Sequence, residues 1–244
     1  FLSRSNEFTH ARNTMAVSHG ALNEIASGPG LQHQLLNNGC RTVSALMPDA
    51  DLTCLDFWCR GGSVWEDQGE EGLAHFLEHM VFKGTKKRHA SEIAEEIEFA
   101  GGHLNAYTSR EQTAYYAKLL KDDIGLGIDI LADILQNSTF EEEELERERS
   151  VILQEIGQAA DTPDDIIFDH FQATAYPDQA LGRPVLGTAD IVGKMSRNTV
   201  IKFITDNYGG GQMVFSAAGN VDHEDLVDRV QLQFSSLPQK AVSK

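Results

Sequence analysis

Short runs of apolar residues predict several strands in the first half of the chain. From Leu31, the stretch LQHQLLNNGCRTVSALMP holds two strand-like runs around Asn37-Asn38-Gly39, a turn signal typical of a β-hairpin. LTCLDFWCR follows, and its apolar and aromatic residues predict a central strand. Further strands are predicted in HLNAYTS, QTAYYAKLL and, near the end of the chain, QMVFSAAGN.

The 3.6-residue period of a helix is clearest between Gly72 and Phe82. The apolar positions there would line one buried face: Leu73, Phe76, Leu77, Met80 and Val81. Ser91 is the predicted N-cap of a second helix, SEIAEEIEFA, which ends at Gly101-Gly102. Four more helices are predicted: Asp122 to Asn137, a segment from Phe140 through EEEELERERSVILQEIGQ, SRNTVIKFITDNY, and HEDLVDRVQLQF.

The interspersed strands and helices predict an α+β fold, in which a mostly antiparallel sheet packs against helices in one layered domain. The chain has 244 residues, enough to bury a large core. Residues 1–30 are polar and show no periodicity, so we expect a loosely ordered arm there and a single domain over residues 31–244.

The net charge of −17 at pH 7 is the exceptional feature of the composition. It argues against nucleic acid or an anionic membrane as partners and would favour basic partners if the charge lines a cleft; general solubility is the alternative reading. The chain starts with Phe1 and shows neither a run of about 18 apolar residues nor the core of a secretory signal, so we expect a processed or trimmed product. Cys40, Cys54 and Cys59 form no CxxC pair, which favours a cytoplasmic or organelle-matrix location over secretion.

The segment HFLEH, residues 75 to 79, puts polar groups into the apolar helix. His75 and His79 are four residues apart, so on a helix both imidazoles can aim at one point and form half of a tetrahedral zinc site. Glu78 lies at the flank of this pair, within reach of a water on the metal. The order is the reverse of the HExxH motif. Since a catalytic zinc normally takes three protein ligands, a third is expected elsewhere.

The acidic helix offers that third ligand. Glu148 and Glu155 are seven residues apart and share one helix face. The apolar neighbours of Glu155 predict that it is buried, where zinc would remove the cost of an unpartnered carboxylate. Glu148 stands between Arg147 and Arg149, so we expect it in a wetter stretch, as a group that orients a histidine ligand.

Three other interpretations compete with a catalytic metal site. The short pattern H-x-x-E-H can arise by chance, and a buried histidine is often only a satisfied core residue. The run EEEELERERS by itself is typical of a solvated helix face. A structural zinc site would normally be closed by four ligands, often cysteines, and no cysteine lies near these helices in the sequence. The combination of paired histidines with a glutamate on a second apolar helix favours the metal site.

The run GLAHFLEHMVFKGT, followed by ERERSVILQEI, resembles the pitrilysin/insulinase family of zinc peptidases. The resemblance extends from about Leu31 to the end of the chain and includes GGHLNAYTSREQTAYY and YPDQALGRPVLGT. It implies that His75, His79 and Glu155 bind Zn²⁺. It also implies that Glu78 is the general base for the zinc-bound water and that Glu148 is a supporting acidic residue of the catalytic site.

The same resemblance implies how a substrate and a partner would bind. Asn105 and Ala106 would lie in an edge strand that pairs with an extended peptide; the alternative for Asn105 is a strand or turn residue without a special role. Members of the family usually have two homologous domains that close over the substrate. We therefore expect the N-terminal catalytic half of a zinc endopeptidase acting on unfolded peptides or presequences, together with a homologous second domain, subunit or copy of itself. The alternative is a non-catalytic binding or scaffolding subunit.

Overall fold

A computed structural model describes residues 30–239 of the chain. In this range six strands form one mixed sheet, in the order β1-β2-β6-β3-β5-β4. The strands are β1 (Leu31–Leu35), β2 (Arg41–Leu46), β3 (Leu52–Cys59), β4 (His103–Thr108), β5 (Thr113–Leu120) and β6 (Met213–Gly219). Apart from its last residue, the predicted N-terminal arm lies outside the described residues.

The sheet is mostly antiparallel, as predicted, because only the pairing of β2 with β6 is parallel. The predicted first hairpin is confirmed: Leu35 of β1 stands opposite Arg41 of β2, and Gly39 in the turn has a left-handed φ of 86°. β3 is central, between β6 and β5. β6 comes from near the end of the described chain and is inserted between β2 and β3.

Eight α-helices lie within the described range. They are α1 (Leu73–Met80), α2 (Ala90–Phe99), α3 (Ile124–Gln136), α4 (Glu142–Asp161), α5 (Pro163–Ala175), α6 (Ala189–Val192), α7 (Arg197–Asn207) and α8 (His223–Gln233). Single 3-10 turns occur at Ser63–Trp65, Lys121–Asp123, Ala180–Gly182 and Gly210–Gln212. Between residues 30 and 239, no helix has both the length and the apolar character needed to cross a membrane.

The core lies between the helices and one face of the sheet, which we call the inner face. Burial alternates along β3, where Leu55, Phe57 and Cys59 are buried on the inner face and Trp58 is half-buried on the opposite, outer face. The ring of Phe57 stacks on Phe234, directly after α8, with 4.5 Å between centroids. The α+β fold predicted from the element order is therefore confirmed.

Two predicted helix starts need correction. α2 begins at Ala90, and its N-cap is His89 rather than Ser91, because the backbone N–H of His89 donates to Glu92 Oε2 at 2.7 Å. The predicted helix at Phe140 begins two residues later, since Phe140 itself has a φ of 50° and cannot belong to a right-handed helix.

The sequence patterns missed α5 altogether. Its first residue is Pro163, where a missing backbone N–H costs nothing, and Asp164 and Asp165 occupy the first turn, where the helix dipole favours acidic groups. None of its residues is buried, and Phe168 and Phe171 are exposed. Because no face of α5 is buried, its apolar residues show no clear helical period, and the sequence pattern did not predict the helix.

Candidate metal centre

The helix that carries both histidines, α1, begins next to a buried carboxyl group. Glu66 Oε1 accepts a hydrogen bond from the backbone N–H of Ala74 at 2.8 Å, and Glu66 Oε2 accepts one from Gly72 at 3.1 Å. Burial raises the pKa of Glu66 to about 8, against the opposing effect of these two donors and of Arg183. Arg183 also donates to the carbonyl oxygen of Glu66 at 2.8 Å. The first turn of α1 is thereby fixed to the segment that precedes it.

The loop that contains Gly187 packs closely against the start of α1. Gly187 has a φ of 71°, and a Cβ atom there would lie 2.1 Å from the carbonyl oxygen of Glu71. A Cβ on Gly72 would lie 2.6 Å from the carbonyl oxygen of Leu186. Only glycine fits at either position, so the loop can hold α1 in place from this side.

Three predicted ligands converge in the structure. Glu155 Oε2 lies 3.8 Å from His75 Nε2 and 3.7 Å from His79 Nε2. Burial, with a smaller contribution from His79, lowers the pKa of His75 to about 4. His75 is therefore neutral at pH 7 and keeps a lone pair for a metal ion.

The donor atoms fit a zinc ion. Two imidazole nitrogens and one carboxylate oxygen, all within 4.8 Å of one another, are the types of ligand that zinc takes in catalytic sites, which keep a further position for water. Glu155 Oε2 is buried and has no hydrogen-bond partner among residues 30–239. A buried carboxylate oxygen without a hydrogen-bond partner is costly, and a cation held by His75, His79 and Glu155 would remove that cost.

Glu148 holds the other nitrogen of a histidine. Its Oε2 lies 2.9 Å from His79 Nδ1, and its Oε1 accepts from Lys83 Nζ at 2.7 Å. Burial opposes ionisation of Glu148, but the hydrogen bonds from Lys83 and His79 outweigh it, and its pKa is lowered. The ionised carboxylate assigns the ring proton of His79 to Nδ1 and leaves Nε2 free to face Glu155.

The burial of the two glutamates is the reverse of the prediction. The side chain of Glu155 is 37% exposed, whereas that of Glu148 is 8% exposed. Leu145, Glu148 and Ile152 form the buried stripe of α4, and no residue of the helix after Ile152 is fully buried. The apolar residues next to Glu155 in the sequence gave the wrong prediction, because burial depends on the helix face on which a residue lies. Glu148 contacts His79, and its role in orienting that histidine at a metal stays a prediction.

Glu78 lies beside the triangle with an open carboxylate. Its Oε2 is buried and has no hydrogen-bond partner in the described part of the chain. Burial raises its pKa, and a hydrogen bond with Thr108 opposes the shift. Sequence reasoning did not single out Thr108, although it stands in the NAYTS segment, at the end of β4. It also missed Lys83, which follows His79 by four residues, the spacing of neighbours on a helix surface.

Asn105 and Ala106 lie in β4, which pairs only with β5 among the described strands and is therefore an edge strand, as expected. α1 packs against β4. Asn105 is exposed, and its Oδ1 accepts from the backbone N–H of Ala106 at 2.8 Å. The position is suited to pairing with an added strand; a role of these two residues in substrate binding stays a prediction.

Comparison with known sequences identifies the family. Residues 41–189 match the sequence model described as Insulinase (Peptidase family M16). The chain belongs to peptidase family M16. Residues 194–244 of this M16 chain match a second model, described as the Peptidase M16 inactive domain. Because β6 of the second segment lies between β2 and β3, the part of that segment within the described range shares one sheet with the first.

Curated relatives of this M16 chain include zinc proteases and processing peptidases. It is 45% identical over 204 residues to a protein of Rickettsia bellii described as an uncharacterized zinc protease, covering 84% of this chain and 50% of that protein. It is 44% identical over 224 residues to the human mitochondrial-processing peptidase subunit beta, covering 91% of this chain and 45% of the subunit. The chain spans about half the length of the curated relatives that it matches.

Solved structures of two proteases share the fold. A protease from Helicobacter pylori superposes with a TM-score of 0.82 at 25% identity, over 88% of this chain and 52% of that one. The first half of the periplasmic protease PqqL from Escherichia coli gives a TM-score of 0.79 at 27% identity, over 88% of this chain and 48% of that one.

Proposed function

We propose that this chain is the metal-binding half of a zinc endopeptidase that hydrolyses extended or unfolded peptides or presequences. The observation that carries the proposal is the position of Glu155 Oε2. This oxygen is buried, has no hydrogen-bond partner among the described residues and lies 3.8 Å from His75 Nε2 and 3.7 Å from His79 Nε2. His75, His79 and Glu155 would hold the ion.

Each side chain next to the three ligands has its own role in peptide hydrolysis. A bound zinc ion would supply Lewis acidity, which lowers the pKa of a water molecule. Glu78 accepts the proton of the attacking water at its open Oε2 and later delivers it to the leaving amine. Its raised pKa suits a group that must take up and release a proton. Glu148 keeps His79 in the tautomer that directs Nε2 at the ion.

The substrate would bind as an added strand along β4, next to α1, with main-chain contacts at Asn105 and Ala106. Such contacts recognise backbone rather than side chains, which suits unfolded segments of varied sequence. The net charge of −17 favours basic segments. A homologous second half, covalent, separate or a second copy of this chain, would close the site, since the chain spans about half of its relatives.

Replacement of Glu78 by Gln tests the proposal. We expect zinc to remain bound, by elemental analysis, and cleavage of a fluorogenic peptide to fall by at least about a hundredfold, because general base catalysis contributes about 10²–10⁴-fold. The matched control is Glu95→Gln, an exposed residue of α2, which should change neither the zinc content nor the cleavage rate. Loss of zinc along with activity in Glu78→Gln would contradict the assigned roles.

A non-catalytic subunit is the second candidate, favoured by the match of residues 194–244 to a model described as inactive. Peptide-cleavage assays distinguish the endopeptidase from the non-catalytic subunit. They use the parent chain alone and with a homologous second half, each with and without a chelator. A zinc-loaded protein that cleaves no peptide in any of these mixtures would establish the subunit and overturn the enzyme.

A further inference from the structure

A second polar pocket lies outside the metal centre, at the end of the sheet where β2, β6 and β3 run side by side. Its cavity of about 480 Å³ is within the size range of small-ligand sites. Two basic and two aromatic side chains dominate its lining: Arg41, Arg60, Trp58 and Trp65. These are both tryptophans of the chain. None of the lining residues belongs to the candidate metal centre.

The two arginines of this pocket lack acidic partners. Every other arginine in residues 30–239 donates to a carboxylate or a carbonyl oxygen. Arg41 and Arg60 take part in none of the ion pairs or side-chain hydrogen bonds found within that range; the guanidinium of Arg60 lies 4.1 Å from the centre of the Trp65 ring. Two uncompensated guanidinium groups in a protein of net charge −17 make this pocket a distinct positive site.

The aromatic walls are fixed by hydrogen bonds. Trp58 Nε1 donates to Ser216 Oγ at 3.2 Å, and Trp65 Nε1 donates to the carbonyl oxygen of Glu111 at 3.0 Å. Gln212 adds a carboxamide whose oxygen is buried without a hydrogen-bond partner in the described range. The NH₂ group of the same carboxamide can donate hydrogen bonds to an anion. The exposed carboxylate of Glu111, on the rim, is the acidic group that would compete for the arginines.

We propose that this pocket binds a carboxylate carried on an apolar or aromatic group. The guanidinium groups of Arg41 and Arg60 would bind the carboxylate, because planar, charge-assisted pairing is the strongest contact they can make. The tryptophan rings would hold the apolar group. The C-terminus of a peptide with an aromatic last residue and a free aromatic acid both have this chemistry.

Intrinsic tryptophan fluorescence of the 244-residue protein reports on the pocket directly, since both tryptophans line it. Titration with N-acetyl-L-phenylalanine should give a saturable change, and the corresponding amide should give none. Arg41→Gln and Arg60→Gln should each weaken binding by about tenfold or more, and Glu111→Gln should strengthen it. Arg229→Gln, on the surface of α8, is the matched control and should bind as the parent does.

A peptide that ends in a free phenylalanine carboxylate distinguishes the two sources. Tighter binding than N-acetyl-L-phenylalanine assigns the pocket to peptide C-termini, and equal binding assigns it to free aromatic acids. Equal binding of acid and amide, unchanged affinity in both arginine variants, or no saturable signal would each overturn the proposal. Zinc content measured on every variant shows whether the metal centre is intact, so failure here is separable from failure of the peptidase proposal.

Discussion

The two sides of the candidate metal centre differ in how completely their polar atoms are paired. On the closed side, His79, Glu148 and Lys83 form a chain of hydrogen bonds of 2.9 and 2.7 Å. On the open side, three buried atoms have no hydrogen-bond partner within residues 30–239: His75 Nδ1, Glu78 Oε2 and Glu155 Oε2. Native folds leave few such atoms, and each calls for an explanation.

The difference shows how two carboxylates on one helix, Glu148 and Glu155 of α4, can have different roles. Glu148 and Glu155 lie on the same face of α4, yet only Glu148 is satisfied by the protein itself. A saturated carboxylate can orient a neighbour, whereas an unsaturated one is available to a ligand. The following substitutions test this division, beginning with the largest expected effect.

Glu155→Ala should weaken zinc binding by at least about a thousandfold, since a zinc binding energy of about 10–16 kcal/mol is shared among few ligands. The free energy of unfolding of the metal-free protein should change by less than about 0.5 kcal/mol, because the lost oxygen has no hydrogen-bond partner in the described fold. Competition with a chelator and urea unfolding measure the two quantities. Gln154→Ala, exposed on the same turn, is the control. Retention of zinc by the Glu155 variant would remove Glu155 from the ligand set.

The open side should also make the metal-free protein sensitive to acid through His75. Its pKa is about 4 in the fold and about 6.5 in the unfolded chain, so between these values the unfolded state binds the extra proton. Stability should therefore fall as pH falls from 6.5 to 4, by about 3 kcal/mol from this group. Chelator-treated His75→Gln should lose less stability than the parent over that interval. Parallel pH curves for the two proteins would show that burial of His75 has no such effect.

Glu148→Gln tests the closed side and should lower both the zinc affinity and the stability of the metal-free protein. We expect zinc affinity to fall by about 10–100-fold, as is typical when the partner of a ligating histidine is lost. The metal-free protein should lose about 1–2 kcal/mol, because a charged acceptor of two hydrogen bonds is removed. Glu143→Gln, exposed on the same helix, should change neither. A loss of zinc without any loss of stability would mean that the two sides are not distinct.

Lys83→Met should have the smallest effect, about a fivefold loss of zinc affinity, because Lys83 acts on the metal centre only through Glu148 and His79. Isothermal titration with zinc measures it. Lys86→Met, exposed in the same loop, serves as the reference variant. An effect as large as that of Glu148→Gln would show that Lys83 fixes the carboxylate by itself.

Local patterns in the sequence predicted those parts of the fold that depend on neighbouring residues. The apolar period around His75 and His79 gave α1, and the Asn-Gly turn gave the first hairpin. The place of β6 depends on pairing between segments far apart in the chain, which no local period reports. For the same reason, the partners Lys83 and Thr108 were not foreseen.

The sequence predicted which residues come together in the candidate site but not how deeply each one is buried. The spacing of His75, His79 and Glu155 agrees with the observed triangle. The predicted relative burial of Glu148 and Glu155 was wrong, because the whole fold decides how α4 packs against α1 and which of its residues are fully buried.

The insertion of β6 between β2 and β3 bears on how the protein is made. A nascent chain emerges from its N-terminus, so β2 and β3 are synthesised long before the strand that joins them. Until then each has an unpaired edge, and such edges invite aggregation. The histidines of α1 are likewise synthesised before the sheet beneath them is complete. The triangle of His75, His79 and Glu155 therefore rests on a complete sheet only after β6 has been synthesised and inserted.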